Sequence, residues 1–303
     1  MTAPQTVLLT GGSGFIGAHL ARHLYAAGYR VEAPPRATLD LEDPAAVARF
    51  VDTCGPDVVI NLASPAMAYV RASTAAEAED AKQRELRVAL ALTAAVRPGT
   101  RFVQAGSMAE YGYSGRHAED APCRPVSVYG RAKLAASLAV LEACAASGID
   151  ATVARIFGAY GPGENERRLF PQILAARYHD RPIDLSDGSQ LRDFIHVDDV
   201  CTAIVRLIAL PMPLQPVYNV GTGHAVSVRM AVERIAREAE ITASRLHFGA
   251  MPRSVVDEEK LEADITNLLA ALDWSPPQRF MATAPLLPSL DPEAASPETG
   301  PST

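Results

Sequence analysis

No stretch of this chain approaches the roughly 18 consecutive apolar residues that a membrane-spanning helix requires. Its opening, MTAPQTVLLTGG, carries neither a basic leader nor a small-residue cleavage pattern. A cytoplasmic protein with no membrane partner is therefore expected. Positive charge is in short supply: 28 Lys and Arg against 35 Asp and Glu leave a net charge of −7. That excludes a broad nucleic-acid surface, although a local basic pocket for a phosphate-bearing ligand stays open. Cysteine is sparse and scattered, at Cys54, Cys123, Cys144 and Cys201, and no two cysteines lie at metal-ligand spacing. Reduced thiols and no structural metal are the expectation. There is no internal repeat.

What the chain does contain is alternation. Short apolar runs at 6–10, 29–33, 57–63, 101–106 and 150–157 read as buried strands. Amphipathic segments at 15–27, 44–54, 76–97 and 127–147 separate them and read as helices. Strand and helix in turn predict an α/β fold with a doubly wound parallel sheet of Rossmann type. Beyond about residue 160 the rhythm loosens: a helix at 169–179, a strand at 183–185, a strand running into a helix in DFIHVDDVCTAIVRLI, a strand and turn at 216–223 and a helix at 227–239. Asp198 is placed to cap the helix of that strand-to-helix run. The expected division is a dinucleotide-binding domain over 1–160, to which 190–222 returns, and a smaller mixed α/β substrate domain over 161–284. The Pro-, Ser- and Glu-rich tail, 285–303, reads as disordered.

TGGSGFIG sets Gly11, Gly14 and Gly17 where the first strand ends and the first helix begins. Glycines there let backbone approach a pyrophosphate, and the helix N-terminus offers it N–H groups and a positive dipole. Phe15, Ile16, Leu41, Leu62 and Ala63 complete the expected pocket. An acid closing the second strand would bond a ribose hydroxyl, but the register gives Pro34, Pro35 and Arg36, with Glu32 too early. NADP, held through Arg36, is therefore the expected cofactor, with NAD as the alternative. Asp40 is positioned to reach the adenine amino group.

With TGGSGFIG, DL at 40–41, PDVVINLAS at 56–64, GSMAEYG at 106–112, YGRAK at 129–133 and LRDFIHVDDV at 191–200, the chain resembles the extended short-chain dehydrogenase/reductase family. More narrowly, it resembles the NAD-dependent epimerase/dehydratase group that acts on nucleotide sugars, over about residues 5–275. The resemblance implies a catalytic trio of Ser107, Tyr129 and Lys133. A tyrosine, ordinarily ionising near pH ~10, is a poor base at neutral pH. Lys133, one helical turn on and on the same face, would stabilise its phenolate. Ser107 would hold the same sugar oxygen.

The resemblance also carries departures. Sugar 4,6-dehydratases have an Asp and a Glu after the serine or threonine, where this chain has Met108 and Ala109, with Glu110 one residue late. Dehydration is therefore not expected. Met108 instead lines the substrate side. Two readings stay open: an NADPH-dependent reductase of a nucleotide-linked 4-keto-6-deoxyhexose, which Arg36 favours, and a 4-epimerase with retained NAD. A non-catalytic NADP-binding regulator is disfavoured by the intact trio. Arg192 and Arg253 are candidates for the substrate diphosphate, whereas Arg155 is expected to fix its loop. The family's asparagine before Y-G-P is Gly158 here, and the resemblance places Arg87 where an asparagine opens the active-site side of the long third helix. The resemblance further implies a homodimer through the helices near 76–97 and 127–147.

Overall fold

The computed structural model describes residues 4–65, 74–179, 181–253, 257–282 and 286. In chain order the first part comprises β1 (Thr6–Thr10), α1 (Phe15–Ala26), β2 (Arg30–Glu32), α2 (Pro44–Cys54), β3 (Val58–Asn61), α3 (Ala75–Ala95), β4 (Arg101–Ser107), β5 (Gly115–His117), α4 (Val128–Ala146) and β6 (Asp150–Ile156). Then come β7 (Gly158–Tyr160), α5 (Leu169–Ala175), β8 (Ile183–Leu185), β9 (Leu191–His196), α6 (Val197–Ala209), β10 (Val217–Val220), β11 (Ala225–Ser227), α7 (Val228–Glu238), β12 (Leu246–Phe248), β13 (Lys260–Ala263) and α8 (Thr266–Leu272). The expected tail lies outside the described residues, except Leu286, which is buried and donates its N–H to Glu238.

Six strands in the order β10-β6-β4-β3-β1-β2 form one sheet, parallel at every pairing. The side chains of its strands split by the period of two. Val7 and Leu9 join Leu20 and Leu24 of α1 and Ile204 and Leu207 of α6 in one core. Leu8 joins Val47 of α2, Leu92 of α3 and Val140 of α4 in another on the opposite face. Burial on both faces is why these strands read as unbroken apolar runs. Each such side chain contributes about 1.5–3 kcal/mol on leaving water. The chain steps from β1 outwards to β2, then back across β1 to β3, so strand order reverses between β1 and β3. That reversal opens a crevice at the carboxyl ends of the strands.

The smaller sheet runs β11-β9-β13-β5, with β7 also on β9. It is mixed: β11 is antiparallel to β9, while β13 is parallel to both β9 and β5. Below it Phe170, Phe194 and Phe280 pack with Tyr160 in an aromatic cluster.

One capping expectation is corrected. The residue capping α6 is His196, whose Nδ1 accepts from the Asp198 N–H at 3.2 Å. Asp198 instead reaches across to α1, where its Oδ1 lies 2.8 Å from His19 Nδ1 and 3.3 Å from His23 Nε2. It ties two helices together rather than ending one. Among the described residues no helix is long and apolar enough to cross a membrane.

Candidate active site

The glycine turn closes over the crevice between β1 and β3 because it has no side chains to spare. A Cβ on Gly11, whose φ is +74°, would stand 2.7 Å from the Ala63 nitrogen, and one on Gly17 would stand 2.1 Å from the Gly11 carbonyl oxygen. No side chain caps the N-terminus of α1, and its first turn holds no acid. Backbone N–H groups and the positive end of the helix dipole therefore meet the crevice. This cradle fits a dinucleotide pyrophosphate. A cavity of about 310 Å³ opens from it, lined among others by Gly11, Gly14, Asp40, Leu41, Leu62 and Ala63. Phe15 and Ile16 pack half-buried on the sheet core beside it.

Arg36 also lines this cavity and donates to Glu42 at 3.1 Å. A second guanidinium, absent from the reading of the sequence, meets the same carboxylate. Arg84 of α3 donates to Glu42 through Nε at 3.1 Å and through a terminal nitrogen at 2.6 Å. Nothing in the local sequence marks Arg84, since only the crossing of α3 over the crevice brings it there. Glu32 pairs with Arg30 on its own strand instead.

Ser107 ends β4 and caps a short 3₁₀ turn, Met108–Glu110. Its Oγ accepts from the Ala109 N–H at 3.2 Å. Glu110 turns inward, fully buried, and accepts from the Ser107 N–H, from Ser137 Oγ and from Arg155 Nε at 2.9 Å, 3.0 Å and 2.9 Å. Arg155 also reaches the Tyr111 hydroxyl and the Glu119 carbonyl, and so anchors its surroundings. Burial pushes the Tyr111 phenol up to about 12, against the pull of Arg155. At the two positions that follow Ser107, the half-buried Met108 and Ala109 carry no proton-moving group.

Tyr129 and Lys133 lie on α4, which Ser127 starts by accepting from the Gly130 N–H at 3.0 Å. Gly130 is the point of contact with the serine turn: a Cβ there would be 2.2 Å from the Ala109 carbonyl oxygen. The helix can therefore press its tyrosine turn against the Ser107 turn. Lys133 Nζ lies 6.0 Å from the centre of the Tyr129 ring and donates to the Ala105 carbonyl at 3.2 Å. Its other partner is Glu85 of α3, whose Oε1 is 2.6 Å away, with the side chains 4% and 2% exposed. Ser64, on the cavity wall, donates to the other Glu85 oxygen at 3.0 Å. Burial works against the Lys133 charge, but Tyr129, Glu85 and Glu110 outweigh it and hold the ammonium above its ordinary value. The position expected for Arg87 is corrected accordingly. Arg87 is exposed, and Glu85 is the α3 residue that meets Lys133.

On the substrate side, Arg192 is 7% exposed, ion-paired with Asp257 and 3.9 Å from Glu258 Oε2. Arg253 pairs with Glu259 at 3.1 Å and donates to the Asp257 carbonyl at 3.4 Å. The two arginines thus converge on one acidic segment, 257–259. A Cβ on Gly158 would meet the Asp193 carbonyl at 2.9 Å, so the missing asparagine is explained by the close approach of β7 to β9.

A glycine turn at the switch point of a parallel sheet, with the helix of Tyr129 and Lys133 packed against the Ser107 turn, is an arrangement of Rossmann type suited to a dinucleotide. The profile of the NAD dependent epimerase/dehydratase family matches residues 7–221, and the chain belongs to that family. It is an NAD(P)-dependent nucleotide-sugar oxidoreductase or epimerase. It is 30% identical over 302 residues to a dTDP-6-deoxy-L-talose 4-dehydrogenase (NAD(P)(+)) of Kitasatospora kifunensis, covering 91% of this chain and 92% of that protein. To a UDP-glucose 4-epimerase of Corynebacterium glutamicum it is 28% identical, covering 91% and 92%. Among solved structures it is similar to RMD of Pseudomonas aeruginosa complexed with NADPH, with a TM-score of 0.76, 26% identity and coverage of 90% and 93%.

Proposed function

We propose that the protein reduces a nucleotide-linked 4-keto-6-deoxyhexose at C4, using NADPH. The observation that carries this reading is the pair of guanidiniums, Arg36 and Arg84, on one carboxylate at the crevice. A 2′-phosphate brings more charge than Glu42 and suits two planar forks better. The cofactor is then consumed and exchanged rather than retained. The relatives fit: the talose 4-dehydrogenase is named for NAD(P)(+), and RMD is complexed with NADPH.

When bound, the nicotinamide supplies hydride to the sugar carbon. Tyr129 donates its phenolic proton to the sugar oxygen as charge develops there. Lys133 stabilises the phenolate left behind, and Ser107 holds the oxygen in line. Arg192 and Arg253 take the diphosphate, in competition with Asp257 and Glu259. Glu110 is committed to Arg155 and the Ser107 N–H rather than free to eliminate water, which separates this chemistry from dehydration.

A second reading, a 4-epimerase with retained NAD, rests on Glu42. It is an acid on the cavity wall that would bond a ribose diol if the arginines released it. The two readings part on one experiment. Stoichiometric loss of NADPH on a nucleotide-linked 4-ketosugar supports the reductase, whereas isomerised sugar with no net oxidation supports the epimerase.

A further inference from the structure

Lys133 faces a full carboxylate that the Ser, Tyr and Lys chemistry does not itself require. We propose that Glu85 is a positioning residue that fixes the Lys133 ammonium and offsets its charge, so that Tyr129 keeps its proton and is set to donate it. The proposal rests on the reading of Tyr129 and Lys133 as the proton-transfer pair.

Glu85 Oε1 is 2.6 Å from Lys133 Nζ, and Oε2 accepts from Ser64 at 3.0 Å. Both charged side chains are almost wholly buried, so water does not screen them. The groups that act on this pair can be named from each neighbouring element. Tyr129 and Lys133 come from α4, Ser64 from the segment after β3, and Glu110 from the turn after β4, where Arg155 neutralises it. On α3 itself Arg84 is turned to Glu42. An unopposed ammonium beside Tyr129 would favour the phenolate, the form that accepts a proton from an alcohol. An ammonium already matched by a carboxylate does so less, leaving the phenol, the form that gives a proton to a ketone. Glu85 thus biases one trio towards the reductive direction, and Ser64 joins that bias to the wall of the cofactor cavity.

The test needs no substrate. Tyrosinate absorbance of the full-length, cofactor-free protein is followed against pH, and the contribution of Tyr129 is isolated by subtracting Tyr129→Phe. The same titration is run on Glu85→Gln and on Glu85→Asn, the latter giving a smaller neutral amide if the first fails to fold. The Tyr129 signal is expected to rise at a pH lower by about one unit or more in both variants. In the loaded enzyme, the alkaline limb of ketone reduction should move down with it. An unchanged or upward-shifted Tyr129 titration in a folded variant overturns the role of Glu85. Full activity in Tyr129→Phe would overturn instead the reading on which it rests.

Discussion

A Cβ on Gly130 would stand 2.2 Å from the carbonyl oxygen of Ala109. This one approach sets the turn that carries Tyr129 against the turn that carries Ser107. Within a helix, glycine costs about 1 kcal/mol relative to alanine, so the position bears a local penalty for the sake of the contact. Gly130→Ala is expected to force the two turns apart. Destabilisation should be about 1–3 kcal/mol, and turnover should fall by about 10²-fold through displacement of the tyrosine. Denaturant unfolding and steady-state kinetics on the same preparation check both.

Cofactor choice is expected to follow the Arg36, Glu42 and Arg84 cluster. Losing a charge-assisted hydrogen bond costs about 1.5–3 kcal/mol. Arg36→Ala and Arg84→Ala should therefore each weaken NADPH binding by about tenfold or more, with little effect on NADH. Glu42→Gln frees both guanidiniums and should strengthen NADPH binding. Calorimetric titration of both cofactors reads the ratio directly.

The Lys133 and Glu85 pair also makes a stability prediction. Lys133→Met alone leaves a carboxylate buried without its counter-ion and should cost about 3–5 kcal/mol, whereas Lys133→Met with Glu85→Gln should recover much of that loss. The sign of the pH dependence follows from the raised Lys133 value. The stability this group contributes is fully present below its unfolded value of about 10.4 and is lost as pH rises through the higher folded one. The double variant should accordingly lose stability less steeply than the native protein in that alkaline window, as thermal melts across pH would record.

A homodimer is proposed through α3 and α4. These helices pack on each other, and α4 presents Leu138, 55% exposed, with Leu90 of α3 at 38%. Sedimentation should return a dimer for the native chain and a monomer for Leu138→Arg.

How much of this was legible in the sequence depended on the range of the interactions involved. β1 and the glycine turn could be read because their signals are local: three apolar residues between two threonines, then glycines at fixed offsets. The smaller sheet was largely invisible. β13 has only four residues and pairs with Gly115–His117, far away in sequence, so no local pattern announces it. Helix register caused the other misses. α3 is rich in alanine on several faces, so periodicity does not tell Glu85 from Arg87, and only its contact with α4 singles out the buried carboxylate. Asp198 illustrates the same limit from the opposite side. Its residue type favours a cap, but the partners that decide its role, His19 and His23, lie on α1, more than 170 positions away. Arg84 reaches Glu42 only because α3 crosses the crevice.

The central claim is that Tyr129 gives a proton to a nucleotide-linked 4-ketosugar while NADPH is consumed. It is tested most directly by incubating the purified protein with NADPH and a panel of nucleotide-linked 4-keto-6-deoxyhexoses, following reduced-cofactor absorbance and sugar product together. Mole-for-mole loss of NADPH with formation of the 4-hydroxy sugar is predicted, abolished in Tyr129→Phe while that variant still binds cofactor. A sugar epimerised at C4 with no net consumption of cofactor would contradict it.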